Sequence, residues 1–274
     1  MSAILVSNPT SINDIVSGIS TLATANGWTV DYSAAGRVHI HKGGLHFDIY
    51  SYDAHQIGIV GCSGYAAGSA ATAQPGASPV SVGYVFDISV SGNGYVAKYR
   101  MVASEDNIYV TVLTGCSFDP GFTYRFFGFG NIVDKVGSWS GGQFVLGAPG
   151  SSGYNNSSSM GFDNASLLRV LINGSWAPNT SYGWGTSSGI SPTISGKMPN
   201  KYNAGLMPLP IPLFVRNIAD SSKLHPIGFA PNTLRISGGD CYLQGDTFIM
   251  GGSTYTAVSH RPDDTSATYA IKIA

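Results

Sequence analysis

Between Ser11 and Ala25 the apolar positions Ile12, Ile15, Val16, Ile19 and Leu22 recur at the spacing of one helical face, which predicts an amphipathic helix. Thr10 or Ser11 can cap it, Asp14 falls in its first turn, and Asn26-Gly27 ends it. From Trp28 onward the apolar period changes to two. Arg37 to His41 and Leu45 to Ser51 flank Lys42-Gly43-Gly44, which reads as a short hairpin turn, and Gln56 to Val60 supplies a third strand. A helix packed on a strand meander is therefore expected at the start of the chain.

Strands are expected again at Tyr84 to Val90, Tyr95 to Val102 and Asn107 to Leu113, joined by turns at Ser91-Gly92-Asn93-Gly94 and Glu105-Asp106 to form a second meander. The stretch Tyr124 to Gly147, dense in aromatic residues and glycine, then reads as a strand, a turn carrying Asp134 and Lys135, a Trp139 anchor, and a strand from Gln143 to Leu146. In its first strand Phe127 and Phe129 share one face and Phe126 takes the other, while Gly128 and Gly130 leave room for a neighbouring ring or backbone. This hairpin is expected to extend the sheet before it. Further strands are expected at Thr233 to Ile236, Thr247 to Met250, Ser253 to Val258 and Tyr269 to Ile273, with Gly251-Gly252 as a hairpin turn.

Three stretches interrupt this pattern. Gly61 to Ser81 is rich in Ala, Ser, Gly and Pro and reads as a long loop, lying on the surface or against a neighbouring subunit. Residues 148–205 are Gly-, Ser- and Asn-rich, broken only by Leu167 to Ile172 and by Trp176, Tyr182 and Trp184, and read as an insertion. Met207-Pro208-Leu209-Pro210-Ile211-Pro212-Leu213 must be extended, because proline blocks helix and removes ladder donors, and is read as a stiff connection. The organisation expected is a helix plus antiparallel β domain over 1–147, a loop-rich insertion over 148–205, and a C-terminal β segment over 206–274 packing on the first domain. The fold class is mainly β, with antiparallel sheets in a sandwich or barrel-like arrangement, one N-terminal α-helix and long Gly/Ser-rich loops.

Composition changes this picture in one respect. Only 11% of the 274 residues are charged, against roughly 25% in an ordinary soluble domain. A folded chain so poor in surface charge is expected to cover much of itself with other protein, as an assembly subunit does. The 14 Lys+Arg balance 15 Asp+Glu without a basic cluster, which argues against nucleic acid as a direct partner. The first residues lack the basic region and apolar length of a signal peptide, and no stretch reaches the length of a membrane span, so synthesis in the cytoplasm is expected. Cys62, Cys116 and Cys241 are widely spaced and read as buried free thiols.

Candidate chemistry is sparse. His39 and His41 share one side of their strand, and His46 and Asp48 share one side of the next, so the Lys42-Gly43-Gly44 turn can bring the four together as metal ligands, with His55 nearby. Half-exposed histidines on a polar sheet face account for the pattern more simply, and no metal is expected. No nucleophile elbow, P-loop, zincin or EF-hand motif is present, and Asp134, Asp163, Asp240 and Asp246 are dispersed near turns. A glycosidase needs two facing carboxylates, which nothing here pairs. Neither catalytic residues nor a cofactor are expected. Trp176, Tyr182 and Trp184 suit either a sugar-stacking platform or anchors on a neighbouring subunit, the latter favoured by the low charge. With Tyr65 and Tyr154 they are the candidate partner contacts.

Taken together, Phe129-Gly130-Asn131-Ile132, Lys135, Gly137, Trp139, Gly141-Gly142 and Phe144 resemble a segment of virion structural proteins of tailed bacteriophages, of the tail, baseplate or minor structural type. The opening helix followed by Asn26-Gly27-Trp28-Thr29 and a hairpin is similar to the start of such proteins. Gly251-Gly252 with Tyr255, and then Tyr269-Ala270-Ile271-Lys272-Ile273, are similar to their end. Residues 148–205 have no counterpart. The resemblance implies a non-enzymatic subunit that joins a ring or collar in the virion, assembled in the host cytoplasm from copies of itself and other virion proteins, without a cofactor. The alternatives are a receptor-binding module for host glycans, a capsid decoration protein and, less favoured, a cell-wall hydrolase.

Overall fold

The structure is a computed structural model, and it describes residues 3–7, 11–53, 56–84, 98–114, 123–147, 168–177, 207–216, 224–237, 247–259 and 268–274. In chain order the first part comprises β1 (Ala3–Ser7), α1 (Ile12–Ala25), β2 (Thr29–Ala34), β3 (Arg37–Lys42), β4 (Leu45–Ser51), β5 (Gln56–Cys62) and β6 (Ser81–Tyr84). Next come β7 (Lys98–Ala103), β8 (Asn107–Thr114), β9 (Thr123–Asn131), β10 (Gly141–Leu146), β11 (Leu168–Ile172) and β12 (Ser175–Ala177). The last part holds β13 (Met207–Arg216), β14 (Leu224–Ser237), β15 (Thr247–Met250), β16 (Ser253–Ser259) and β17 (Thr268–Lys272). The expected class holds: the protein is mainly β, with antiparallel sheets and an N-terminal helix.

The strands form three sheets, ordered β2-β3-β4-β5-β6, β1-β7-β8-β9-β10-β11-β12 and β13-β14-β17-β16-β15. The seven-stranded sheet is buried on both faces. Its strands therefore read as near-continuous apolar runs rather than alternating ones. Ile108, Val110, Phe127, Phe129 and Val145 face a core shared with α1 and with Val38, Ile40, Phe47, Ile49, Ile57 and Ile59 of the N-terminal sheet. Tyr109, Phe144, Leu146, Leu168 and Val170, on the opposite face, pack against Ile211, Leu213, Ile227, Ala230 and Ile271 of the C-terminal sheet.

The helix begins where the sequence places it. Ser11 and Asp14 form a reciprocal capping box, in which the Asp14 amide donates to Ser11 Oγ and the Ser11 amide to Asp14 Oδ2. At the other end Asn26 Nδ2 donates to the Leu22 carbonyl, 2.9 Å away. The buried stripe Ile12, Ile15, Val16, Ile19 and Leu22 is the predicted one.

The aromatic hairpin is β9 and β10, in the seven-stranded sheet as expected. At Gly128 a Cβ would lie 2.5 Å from the Ile108 carbonyl oxygen and 2.5 Å from Tyr109 Cδ1, and at Gly130 it would meet the Asp106 carbonyl oxygen at 2.5 Å. The missing side chain of Gly128 thus leaves the room that Tyr109 fills, and that of Gly130 the room for Asp106 and Asn107. The wholly buried Tyr109 hydroxyl donates to the Pro231 carbonyl of β14 at 2.9 Å, tying the middle sheet to the C-terminal one. Trp139 is the expected anchor at the margin of the core, packing partly buried against the cluster between the middle and C-terminal sheets. It lies half-buried over its own turn, its indole N–H donating to the Val136 carbonyl at 2.8 Å and the Lys135 ammonium 5.1 Å from its ring.

Several expectations are corrected. β6 pairs with β5 and not with β7, so its Tyr84 belongs to the N-terminal sheet; residues 85–97, with most of the strand expected at Tyr84 to Val90, lie outside the described residues. The loop after β5 needs no neighbouring subunit to hold it. Buried Gln74 accepts from the Ala66 amide and donates to the Ala66 and Ser69 carbonyls, and Ser78 Oγ accepts from the Gly61 amide, so hydrogen bonds supply the order that short side chains cannot. Within 148–205, β11 and β12 complete the seven-stranded sheet instead of interrupting it.

The proline-rich run is the strand β13 rather than a connection. It pairs with β14 and sits at the edge of its sheet. Pro208 and Pro210 are two apart, so their missing donors fall on the same side of the strand, and an edge strand is where such a gap in the ladder is tolerated. At the Gly251-Gly252 turn both residues have positive φ, +57° and +77°, as the favoured two-residue hairpin turn requires.

Candidate metal centre on the N-terminal sheet

The N-terminal sheet turns Val38, Ile40, Phe47 and Ile49 inward, so the alternate positions His39, His41, His46 and Asp48 share its outer face. In register His39 lies opposite Asp48, and His41 opposite His46. The four residues predicted to share a side are therefore brought together. His39 and Asp48 are fully buried, against the expectation of half-exposed histidines, while His41 and His46 are half-buried.

A fifth group, Asp31, arrives from β2. The pairing of β2 with β3 shifts between Val30 and Tyr32, and Asp31 is the extra residue at this bulge. Its Oδ2 is 2.6 Å from His41 Nδ1 and 3.8 Å from His39 Nε2. Strand alternation alone does not reveal a bulge, so the sequence pattern does not point to Asp31.

Beneath these groups lies an ordered ion-pair chain. Arg37 grips Asp48 with both arms of its guanidinium, Nε to Oδ1 at 2.9 Å and Nη2 to Oδ2 at 2.7 Å. Asp48 Oδ2 is in turn 3.2 Å from His39 Nδ1. Because His39 Nδ1 faces the Asp48 carboxylate, its N–H belongs on Nδ1, and the ring lone pair is on Nε2. Nε2 faces His46 Nδ1 at 3.4 Å. Burial lowers the pKa of His46, and the neighbouring His41 and His39 add to this while Asp31 opposes it. The neutral form of the imidazole, with a free lone pair, is thereby favoured.

Compared with known proteins, the chain matches no family model and no curated sequence.

The remaining site residues are placed as follows. Tyr65, proposed to meet a partner, rests on His39 with ring centroids 4.8 Å apart, so the loop after β5 roofs the histidine. Trp176 is likewise docked on its own chain. Its ring occupies the space a Cβ at Gly61 would need, and its indole N–H donates to the Gly76 carbonyl at 2.8 Å. Tyr154, Tyr182, Trp184 and His55 lie outside the described residues, as do Cys116 and Cys241.

Cys62 lies opposite His46 in the register and is a buried free thiol, as expected. Burial above all, with the charge of Asp48 behind it, pushes this thiol up to about 12. Because the thiolate is the reactive species, Cys62 is expected to stay unmodified when the native protein is treated with iodoacetamide at pH 8, and to be alkylated after denaturation. Peptide mapping by mass spectrometry distinguishes the two states, and ready labelling of native Cys62 would contradict its burial.

Proposed function

We propose that the chain is a structural subunit of a tailed-phage virion, of the tail, baseplate or neck, joined to its neighbours by protein contacts and carrying no catalytic site. The observation that carries the assembly part of this reading is the edge strand β15. It ends the C-terminal sheet with the sequence Thr247-Phe248-Ile249-Met250, without charge or proline, and Ile249 is 77% exposed. Phe248 and Met250 pack inward, Phe248 stacking on Tyr255 at 5.6 Å. Among the described residues no strand pairs with the outer side of β15, and an uncharged, apolar edge is a template for a strand from another chain, which proteins that remain single usually protect. The occupant proposed is the same edge of a second copy. The low charge content and the residues that resemble tailed-phage virion proteins support the same reading.

Light scattering on the purified protein is expected to show association that grows with concentration. Ile249→Lys is expected to weaken it at least tenfold while the melting temperature stays within a few degrees, since the side chain points to solvent. A wild-type protein that stays monomeric at high concentration would remove the β15 contact. Labelling the protein in imaged virions tests the particle assignment separately, and absence from the particle would remove it. For the glycan-binding alternative, the docking of Trp176 on Gly61 and Gly76 takes one ring out of the supposed platform. Specific binding on a glycan array would restore that alternative.

A further inference from the structure

We infer that Asp31, His41 and His46 form a binding site for a divalent transition-metal ion, zinc being the best match, with His39 as its fourth donor. Asp31, His41 and His46 each offer a ligand atom, and these atoms lie within 4.8 Å of one another. A tetrahedral zinc ion holds its nitrogen and oxygen ligands at about 2.0–2.2 Å, which places neighbouring ligand atoms roughly 3.3–3.6 Å apart. His39 Nε2 stands at such a distance, 3.4 Å, from His46 Nδ1 and slightly beyond it, 3.8 Å, from Asp31 Oδ2. To complete the set the half-buried His41 and His46 rings would turn toward His39 Nε2. Three imidazoles and one carboxylate suit zinc, cobalt or nickel, whereas calcium and magnesium prefer all-oxygen sets.

The support behind the fourth donor is what separates this cluster from a chance meeting of polar residues. A ligating histidine commonly donates its second ring N–H to a carboxylate, which fixes the ring and the tautomer. His39 does so to Asp48, and Asp48 is itself held by the Arg37 fork. The carboxylate ligand comes from the bulge of β2, an edge strand that a metal ion would clip to β3 and β4. The role assigned is structural and is independent of the assembly contact at β15.

The test uses full-length protein stripped with chelator and then given cobalt(II) or zinc(II) chloride alone. Cobalt is expected to give the visible absorption of a four-coordinate site at one ion per chain. Zinc is expected to bind with micromolar or tighter affinity and to raise the melting temperature by several degrees. His41→Ala and Asp31→Asn are each expected to weaken zinc at least tenfold, and His225→Ala, at an exposed position on β14, to leave it unchanged. Asp31→Asn keeps the size and hydrogen bonding of the bulge residue, so it tests the site even where His41→Ala folds poorly. No binding by the wild type at micromolar zinc, or binding that both site variants retain, would overturn the assignment.

Discussion

Replacing Phe129 with alanine is expected to destabilise the protein by about 3–5 kcal/mol, the usual cost of deleting a buried phenylalanine ring. Phe129 has no exposed surface, and its ring lies 4.6 Å from Phe47 and 6.3 Å, edge-on, from Trp28. It is therefore where β9 of the middle sheet meets β4 of the N-terminal sheet. The site has little freedom to collapse, because β9 is laddered to β8 and β10 on its two sides and β4 to β3 and β5. Urea unfolding measures the loss. Trp139→Ala in the same hairpin should cost less, roughly 1–2 kcal/mol, since that ring is only half-buried where it packs against the core. Equal costs for the two variants would show that this account of the hairpin is wrong.

Arg37→Met is expected to cost about 3–5 kcal/mol at neutral pH, the range found when one partner of a buried ion pair is removed. Asp48 has no solvent exposure and takes two of its hydrogen bonds from Arg37. Without the guanidinium its carboxylate keeps, among the described residues, only the contact with His39. Lysine should restore only part of the loss, because an ammonium cannot present the two parallel donors of the fork. Arg37→Met combined with Asp48→Leu should be more stable than Arg37→Met alone, since the stranded charge leaves with its partner. Chemical unfolding of the three variants decides this. A loss under about 1 kcal/mol for Arg37→Met would mean that water or another donor reaches Asp48.

Much of the fold could be read where a single rule sufficed. Helical spacing found α1, and period two with Gly-Gly turns found β3, β4, β15 and β16. What escaped needed either a partner strand or a turn hidden in biased sequence. β1 is a five-residue apolar run whose assignment as a strand depends on pairing with β7. Asn173-Gly174, a strong hairpin signal, sits in a region whose Ser and Asn content reads as linker, which hides β11 and β12. β13 was obscured by prolines that are acceptable only because it is an edge. In the candidate site, alternation correctly put His39, His41, His46 and Asp48 on one face. Asp31 depends on a bulge, and Tyr65 on a loop folding back over the sheet, neither of which leaves a mark in local sequence.

The unequal ends of the C-terminal sheet set a limit on how copies can join through it. Pro208 and Pro210 close the β13 end to further pairing, while among the described residues no strand covers the β15 end. A sheet with one extensible end has a valency of one. Two copies meeting β15 to β15 exhaust each other and stop, so this contact yields closed pairs and never a growing fibre. A ring built from the protein would then have an even number of chains, with pairs as its bricks and a second, chemically different surface as the mortar.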